Sequence, residues 1–144
     1  MKSLFFVGFL ILFTTGSAYS IQLETSLERA PSSQSYVQST FGEELSYVLV
    51  DQQVLIVADV TNGLAQEQSF AYIVQIQDDT GAVVSLGWLA GMLAPNQMLS
   101  PALSWTPQYP GKYHSTIFVW GGINNPDALS PPLELDIDVR LQQA

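Results

Sequence analysis

The chain contains one histidine, no cysteine and 13 acidic side chains, so any acid–base chemistry must come from His114 and the carboxylates. A serine-type catalytic triad needs a histidine base that a carboxylate orients. His114 is predicted to lie on the outward face of a β-strand, where a solvated histidine is the ordinary interpretation. The acids Asp78–Asp79 and Glu134, Asp136 and Asp138 fit a turn and a solvated strand face rather than a glycosidase cleft. The inventory predicts that the protein is not an enzyme.

The same inventory restricts metal and cofactor sites. Without cysteine, zinc–thiolate sites, haem attachment and blue-copper sites are excluded. Calcium takes about six to eight oxygen ligands, and the loops 78–81 and 124–127 could supply some of them. The loop 78–81, Asp-Asp-Thr-Gly, is more simply a hairpin turn with Gly81 at positive φ. We therefore expect no cofactor and no metal, and calcium is the alternative.

Aromatic side chains are the most suggestive candidates for binding. Phe118 and Trp120 stand two residues apart on one strand face, which separates them by about 7 Å along the sheet. Trp88 or Leu89, depending on register, could join them from another strand. Exposed aromatic patches usually mark contact with a protein, a glycan ring or another module. The candidate binding residues are Phe118, Trp120, Trp88 and Tyr109; the structural alternative is that segment 21–41 or loop 121–132 covers the rings.

A corner in the chain must position the aromatic strand. Between Trp105 and Trp120, the segment from Pro107 to Gly111 has to turn, because proline cannot donate to a sheet ladder and glycine tolerates positive φ. Tyr113 follows at a strand start just past this corner. That is the position of the tyrosine corner in immunoglobulin-like sandwiches. We expect Tyr113, Gly111 and Trp105 to be structural residues.

Seven apolar runs from Leu45 onward are separated by turn signals at fairly regular spacing, which is typical of a sandwich or barrel. The predicted fold is all-β: an immunoglobulin-like, two-sheet antiparallel sandwich of about seven strands. The runs are Leu45–Val50, Val54–Thr61, Phe70–Gln77, Val83–Ala90, Met98–Trp105, Lys112–Trp120 and Leu133–Arg140.

Period-two alternation assigns one face of these runs to the core. The last run is the clearest, because its acids and Arg140 alternate with apolar residues. Large core fillers are expected at Tyr72, Trp105 and Tyr113, and His114, Thr116, Phe118 and Trp120 are expected to point outward. The predicted inward residues are Val54, Ile56, Ala58 and Val60; Tyr72, Val74 and Ile76; Tyr113, Ser115, Ile117 and Val119; and Leu133, Leu135, Ile137 and Val139.

The N-terminus has the pattern of an export signal. Leu4–Phe13 is apolar apart from Gly8 and is followed by small and polar residues ending in Ala18-Tyr19-Ser20. The apolar part is about half of the roughly 20 residues that span a bilayer, so cleavage before Ile21 is favoured over a retained anchor. We predict a signal peptide at 1–20, a polar lead-in segment at 21–42 with a short edge strand at Tyr36–Phe41, the sandwich at 43–140 and a tail at 141–144.

The net charge of −9 limits the possible partners. Lys2 is the only charged residue of the predicted signal, so the exported chain is more acidic still. Such a surface repels nucleic acid and gains nothing from anionic lipid headgroups. We predict no nucleic-acid partner and no membrane insertion after signal cleavage. The lack of disulfides is tolerable, because a domain of this size buries roughly two-thirds of its unfolded surface.

A combination of short motifs spans Gly42 to Val139. The motifs are Gln-Gln-Val, Thr-Asn, Phe-Ala-Tyr-Ile-Val-Gln-Ile-Gln-Asp-Asp-Thr-Gly, Ser-Trp-Thr-Pro, Pro-Gly-Lys-Tyr, Phe-Val-Trp and Asn-Pro-Asp-Ala-Leu-Ser-Pro-Pro. In this order they resemble immunoglobulin-like modules of archaeal secreted and surface proteins, especially those of ammonia oxidisers, and are similar in outline to the adhesion-type CARDB domains. The resemblance implies an extracytoplasmic module without catalytic residues. Antibody-type domains join their sheets through a cysteine pair, and here aliphatic residues must fill that layer.

We therefore expect an exported, non-catalytic module for protein–protein contact or cell-envelope architecture. It would act through aromatic contact on an outer sheet or through strand addition at an exposed edge. One alternative is a carbohydrate-binding module that uses the same aromatic residues. Another is an accessory subunit of a membrane complex or surface filament. The expected partner is a protein or glycan at the cell surface, and the oligomeric state stays open.

Overall fold

The computed structural model describes residues 28–143, so the predicted signal peptide lies outside the described residues. No helix within 28–143 is both long enough and apolar enough to cross a bilayer. Ten β-strands account for the regular structure of this part of the chain. They are β1 (Ser32–Ser39), β2 (Val48–Leu49), β3 (Val54–Thr61), β4 (Gln68–Gln77), β5 (Val83–Leu93), β6 (Met98–Leu99), β7 (Ala102–Trp105), β8 (Gly111–Gly122), β9 (Asn125–Ala128) and β10 (Leu133–Arg140).

The strands form two sheets that pack face to face. Sheet A has the order β1-β3-β6, and β7 also pairs with β3. Sheet B has the order β2-β10-β8-β4-β5, and β9 pairs with β8. This arrangement confirms the predicted immunoglobulin-like sandwich. One pairing departs from the antiparallel prediction, because β2 runs parallel to β10.

The observed strands differ in their bounds from the predicted ones where the sequence is polar or contains a proline. The lead-in segment contributes β1, which begins at Ser32 and ends at Ser39 rather than spanning Tyr36–Phe41, so the sandwich starts before residue 43. The run 98–105 is divided into β6 and β7 around Pro101, which has no N–H for the ladder. The run 45–50 keeps only the two residues of β2, and the loop 121–132 contains β9.

The inward faces agree with the alternation seen in the sequence, and the large fillers Tyr72, Trp105 and Tyr113 are all buried. Tyr72 on β4 extends across the interior, and its hydroxyl donates a hydrogen bond of 3.0 Å to the backbone carbonyl of Ile56 on β3. Burial raises the pKa of Tyr72, so the hydroxyl keeps its proton. Aliphatic residues of both sheets, Ile56 and Ile117 among them, belong to the core cluster that takes the place of a cysteine pair.

Tyr113 makes two contacts that stabilise the corner before β8, a hydrogen bond and a ring–ring contact. Gly111 has a φ of +149°, a conformation that residues with a side chain rarely adopt. The hydroxyl of Tyr113 donates a 2.9 Å hydrogen bond to the carbonyl of Tyr109, as a tyrosine corner does. The Trp105 and Tyr113 rings meet edge to face, with centroids 5.1 Å apart. Because this corner fixes where β8 begins, it also fixes the positions of the aromatic residues further along β8.

The corner hydrogen bond can be tested with Tyr113→Phe, which removes the hydroxyl and keeps the ring. We expect the free energy of unfolding to fall by about 1 kcal/mol, the usual net value of one such bond. Urea denaturation measures the change. Tyr109→Phe is the matched control, because it leaves the accepting carbonyl in place. An equal loss in both variants would show that the corner bond contributes nothing specific.

The side chain of Ser115 points into the core from β8 and is fully buried. Its Oγ has no hydrogen-bond partner among residues 28–143. Ser115→Ala should therefore raise the free energy of unfolding by about 1 kcal/mol, because an unsatisfied buried hydroxyl is lost. Ser130→Ala is the contrasting variant, since the Oγ atoms of Ser130 and Ser32 lie 3.0 Å apart, and it should destabilise the fold. A loss of stability in both would contradict the assignment of Ser115.

Candidate binding surface

Two strands of sheet B, β5 and β8, bring aromatic side chains to one face on either side of β4. Ile73 on β4 stands opposite Trp88 on β5 and opposite Phe118 on β8. Ala71, one pleat along, stands opposite Trp120. The register thus places Trp88 outward, and Leu89, the other candidate on β5, packs against the core. The outer face of sheet B therefore unites three of the four candidate binding residues.

We call Trp88, Phe118, Trp120 and the neighbouring Leu86 and Met92 the aromatic surface. Phe118 and Trp120 touch in a tilted arrangement with centroids 5.9 Å apart and an interplanar angle of 52°. Trp88 lies two strand spacings from Phe118, or about 10 Å. The indole of Trp88 is 53% exposed, whereas Phe118 and Trp120 are half-buried. The rings on β8 are thus partly buried against each other, whereas the ring on β5 is more accessible to solvent.

The aromatic surface also covers the central strand. Ile73 and Ala71 face outward on β4, yet they are only 5% and 0% exposed. Ile73 lies between the rings of Trp88 and Phe118, and Ala71 lies beside Trp120, so these rings shield both residues from water. These rings contribute to stability by covering apolar area, at about 25 cal/mol per Å², and still present a further apolar side to solvent.

Neither segment that was considered as a cover lies over these rings within 28–143. The described part of the lead-in segment forms β1, which belongs to sheet A on the other side of the molecule. The loop 121–132 forms β9, which pairs with β8 and places Ala128 opposite Trp120. The loop therefore widens sheet B beside Trp120 and leaves this ring half-exposed.

An ion pair holds β9 in this position. Arg29 donates two hydrogen bonds of 2.8 Å to the carboxylate of Asp127 and one of 3.2 Å to the carbonyl of Ala128. The hydrogen bond from Arg29 keeps the pKa of Asp127 below its ordinary value. Asp127, considered above as a possible calcium ligand, is thus occupied by a guanidinium that joins β9 to the start of the described chain.

Tyr109 occupies a different surface. It is 71% exposed and lies in a groove at the β7–β8 corner that Val84, Trp105 and Tyr113 also line. None of the rings on the aromatic surface lines this groove. The backbone carbonyl of Tyr109 accepts the hydrogen bond of the tyrosine corner, so its main chain, rather than its side chain, has the structural role.

His114 lies on the open face of sheet B among carboxylates. Its Nδ1 is 2.8 Å from Asp136 Oδ1, and its Nε2 is 3.9 Å from Glu134 Oε2. Within 28–143 no serine or threonine hydroxyl bonds to either ring nitrogen, and His114 does not line the groove at the β7–β8 corner. Lys112 and Arg140 continue the row through their ion pairs with Asp138. The arrangement is a row of polar and charged side chains on a solvated face, in which the Lys112–Asp138 pair joins two strands and the Arg140–Asp138 pair lies within β10.

The acidic loop 78–81 is a hairpin turn between β4 and β5, with Gly81 at a φ of +83°. One carboxylate oxygen of Asp78 accepts bonds from the hydroxyl and amide of Thr80 and from the amide of Ala82. These bonds, above all that from the Thr80 hydroxyl, lower the pKa of Asp78. Across the described residues, no three His, Cys, Asp or Glu side chains are arranged to hold a metal ion.

Two members of the aromatic surface were missed in the sequence. Leu86 and Met92 are 57% and 54% exposed on the same outer row as Trp88. The period-two spacing of Leu86, Trp88, Ala90 and Met92 is the signal that could have found them. The predicted strand ended at Ala90, before Met92.

No protein-family model and no curated protein matches the chain, but solved structures resemble it. The C-terminal domain of wzt is 14% identical with a TM-score of 0.62, over 80% of this chain and 75% of that chain. A CARDB domain of a Pyrococcus furiosus protein, solved in complex with di-metal ions, is 19% identical with a TM-score of 0.54, over 82% of this chain and 100% of that domain. A Listeria innocua β-glucosidase is 11% identical with a TM-score of 0.53, but the match covers only 15% of the enzyme. These similarities show the fold.

The ion pair at β9 predicts a pH dependence. Because the folded pKa of Asp127 lies below its ordinary value of 3.8, the pair stabilises the fold above that value, and the stabilisation is lost as the pH falls through the folded pKa. Asp127→Asn should lower Tm at neutral pH, and the difference from the parent protein should shrink in strong acid. Thermal melts from pH 7 to about pH 2 measure this, with Asp79→Asn as the control. A difference that stays constant with pH would contradict the assignment.

Proposed function

We propose that the protein is an exported, non-catalytic β-sandwich module that binds another protein through the aromatic surface of sheet B. The observation that carries this proposal is the clustering of Leu86, Trp88 and Met92, each more than half exposed, beside Phe118 and Trp120 on one sheet face. Contiguous exposed apolar patches of this kind are typical of interaction sites. Tryptophan is among the residues that most often dominate binding energy at such sites.

The geometry suits a protein surface as the partner. The rings stand on β5 and β8, which are both hydrogen-bonded to β4, so they are held in position before binding and lose little conformational freedom. The charges are segregated on the same sheet, because Glu134, Asp136 and Asp138 lie on β10, away from the apolar rows of β5. A partner with an apolar centre and basic residues toward the β10 side would match this pattern.

A non-catalytic role is supported by the surroundings of His114. Both of its ring nitrogens face carboxylates, and the residue lies on an open sheet face rather than in a cleft that could exclude water. General acid–base catalysis needs a substrate held within hydrogen-bond reach of the base. The side chains around His114 instead form polar contacts with one another on a solvated face.

Export is supported by the N-terminal sequence, where the apolar stretch Leu4–Phe13 precedes small residues up to Ser20. The motif order that resembles archaeal surface modules, including those of ammonia oxidisers, is consistent with this location. The similarity of fold to the Pyrococcus furiosus CARDB domain also supports the resemblance to surface modules, as far as the fold is concerned. On these grounds we propose that the protein is located at the cell surface or in the secreted fraction.

Carbohydrate binding is a second candidate, favoured by the polar residues beside the rings. Gln75 and Thr116 face each other in the row next to Phe118 and are partly exposed. Flat aromatic faces flanked by hydrogen-bonding side chains can bind sugar rings by stacking and polar contacts. A role as an accessory subunit of a membrane complex or surface filament is a special case of protein contact and would appear as co-purification with that assembly.

The test is capture of partners from native cell surfaces by the purified protein and by variants of the aromatic surface. We expect Trp88→Ala and the double variant Phe118→Ala/Trp120→Ala each to weaken binding of the captured partner by about tenfold or more, as loss of a central aromatic contact does. Titration calorimetry with that partner measures the loss. Circular dichroism checks the fold, because Phe118 and Trp120 also cover β4.

Tyr109→Ala is the matched control, because Tyr109 is exposed on a separate surface and should leave the affinity unchanged. A glycan array run with the same variants distinguishes the second candidate. Sugar binding that is lost in the double variant would replace the protein-contact proposal. Partner capture that is unaffected by all the aromatic variants, or equally reduced by Tyr109→Ala, would refute the assignment of the surface.

A further inference from the structure

The edge of sheet B that is formed by β5 differs from the other strand edges of the fold. Unpaired edges are templates for further strand pairing, and proteins usually protect them by short length, bulges, proline or charge. Within 28–143, β2 and β6 have only two residues each, and β7 has four. β1 has a register shift next to Gln34 with its φ of +50°, and β9 contains Pro126 and Asp127. Each of these edges carries at least one protective feature.

β5 has little of this protection. It ends the order of sheet B and pairs only with β4 among the described strands. Its 11 residues, Val83–Leu93, include no charged residue and no proline. Its register shift lies at the hairpin end, so the pairing with β4 is regular from Ser85 to Leu93. A long, regular and uncharged edge with exposed apolar side chains is therefore available for pairing.

We propose that β5 pairs antiparallel with β5 of a second copy of this chain, about a two-fold axis at Trp88. The residue pattern is self-complementary in this register. Leu86 of one copy stands opposite Ala90 of the other, and Val84 stands opposite Met92, so apolar side chains meet across the outer face. No charge is brought into the contact. Sheet B of both copies becomes one continuous sheet.

The distribution of charge favours a second copy over a charged partner. A net charge of −9 opposes self-association in general. In the antiparallel arrangement, however, the acidic hairpins at Asp78–Asp79 lie at opposite ends of the paired strands, about 35 Å apart, which exceeds the Debye length of about 8 Å in physiological salt. The acids of β10 are three strands away from β5. A basic partner would find no charge on β5 to recognise.

Self-pairing goes beyond the proposed function and stands on a separate feature, the edge of the sheet. Strand pairing at β5 uses backbone groups and leaves the outer faces of Phe118 and Trp120 accessible. It places the two aromatic surfaces of a dimer side by side on one sheet. Loss of the dimer and loss of partner binding can therefore be observed independently.

Sedimentation velocity of the purified protein, from low micromolar to millimolar concentration, tests the proposal. We expect a reversible monomer–dimer equilibrium whose dissociation constant rises about tenfold or more in Leu86→Lys, because a charge then enters the edge. Leu86 is exposed, so the fold should be retained. Phe41→Lys is the matched control, since Phe41 is 93% exposed in a loop, and it should leave the equilibrium unchanged. A protein that stays monomeric throughout this range would refute the inference.

The absence of cysteine allows a second measurement. Directly opposed residues of antiparallel strands lie close enough for a disulfide, so Trp88→Cys should give a covalent dimer under mild oxidation, and Phe41→Cys should not. Equal cross-linking of both variants would contradict pairing at Trp88. Normal dimerisation of Phe118→Ala/Trp120→Ala with weakened partner capture would separate this inference from the proposed function. Val84 belongs to β5 but not to the aromatic surface, and it is 47% exposed. Loss of the dimer in Val84→Lys with partner capture retained would separate them in the other direction.

Discussion

The strand β4 is buried on both faces, and this double burial organises the molecule. Its inward residues, such as Tyr72 and Val74, meet the core between the sheets, while its outward residues Ala71 and Ile73 are shielded from water. An outer face of a sandwich is normally solvated, so β4 needs a second cover. The rings on β5 and β8 supply it. The candidate binding surface is therefore also part of the scaffold, which explains its fixed geometry.

Cohesion between the sheets comes from packing and from a few directed bonds, since no cysteine is available. The Tyr72 hydroxyl bonds to a carbonyl of the opposite sheet, and the Tyr113 corner fixes the start of β8. Both hydroxyls donate to main-chain carbonyls, so each tyrosine fixes a backbone position in addition to burying the apolar area of its ring. As a result, sheet B carries two distinct outer regions. The row of ion pairs around His114 is solvated, and the rows between β5 and the end of β8 are apolar.

The faces of the strands could be predicted because burial on one side imposes a period of two on the side chains. The inward placement of Ser115 and the outward placement of Phe118 and Trp120 followed from that rule once the tyrosine corner had assigned Tyr113 to the core. β9 and the bounds of β1 could not be predicted, because these are edge strands with polar sequences whose pairing depends on partners distant in the chain. The choice between Trp88 and Leu89 was likewise undetermined, since one step of register exchanges the two faces of a strand.

The sequence by itself determined the class of fold, the inward residues, the corner at Gly111 and the lack of an evident catalytic inventory, because these depend on residue types and local spacing. The tertiary structure alone decided that Trp88 joins Phe118 and Trp120 across Ile73, that Tyr109 lies apart from them, and that β5 ends its sheet. Those facts arise from strand order and register. Both are set by the simultaneous packing of residues far apart in the chain, which local patterns do not encode.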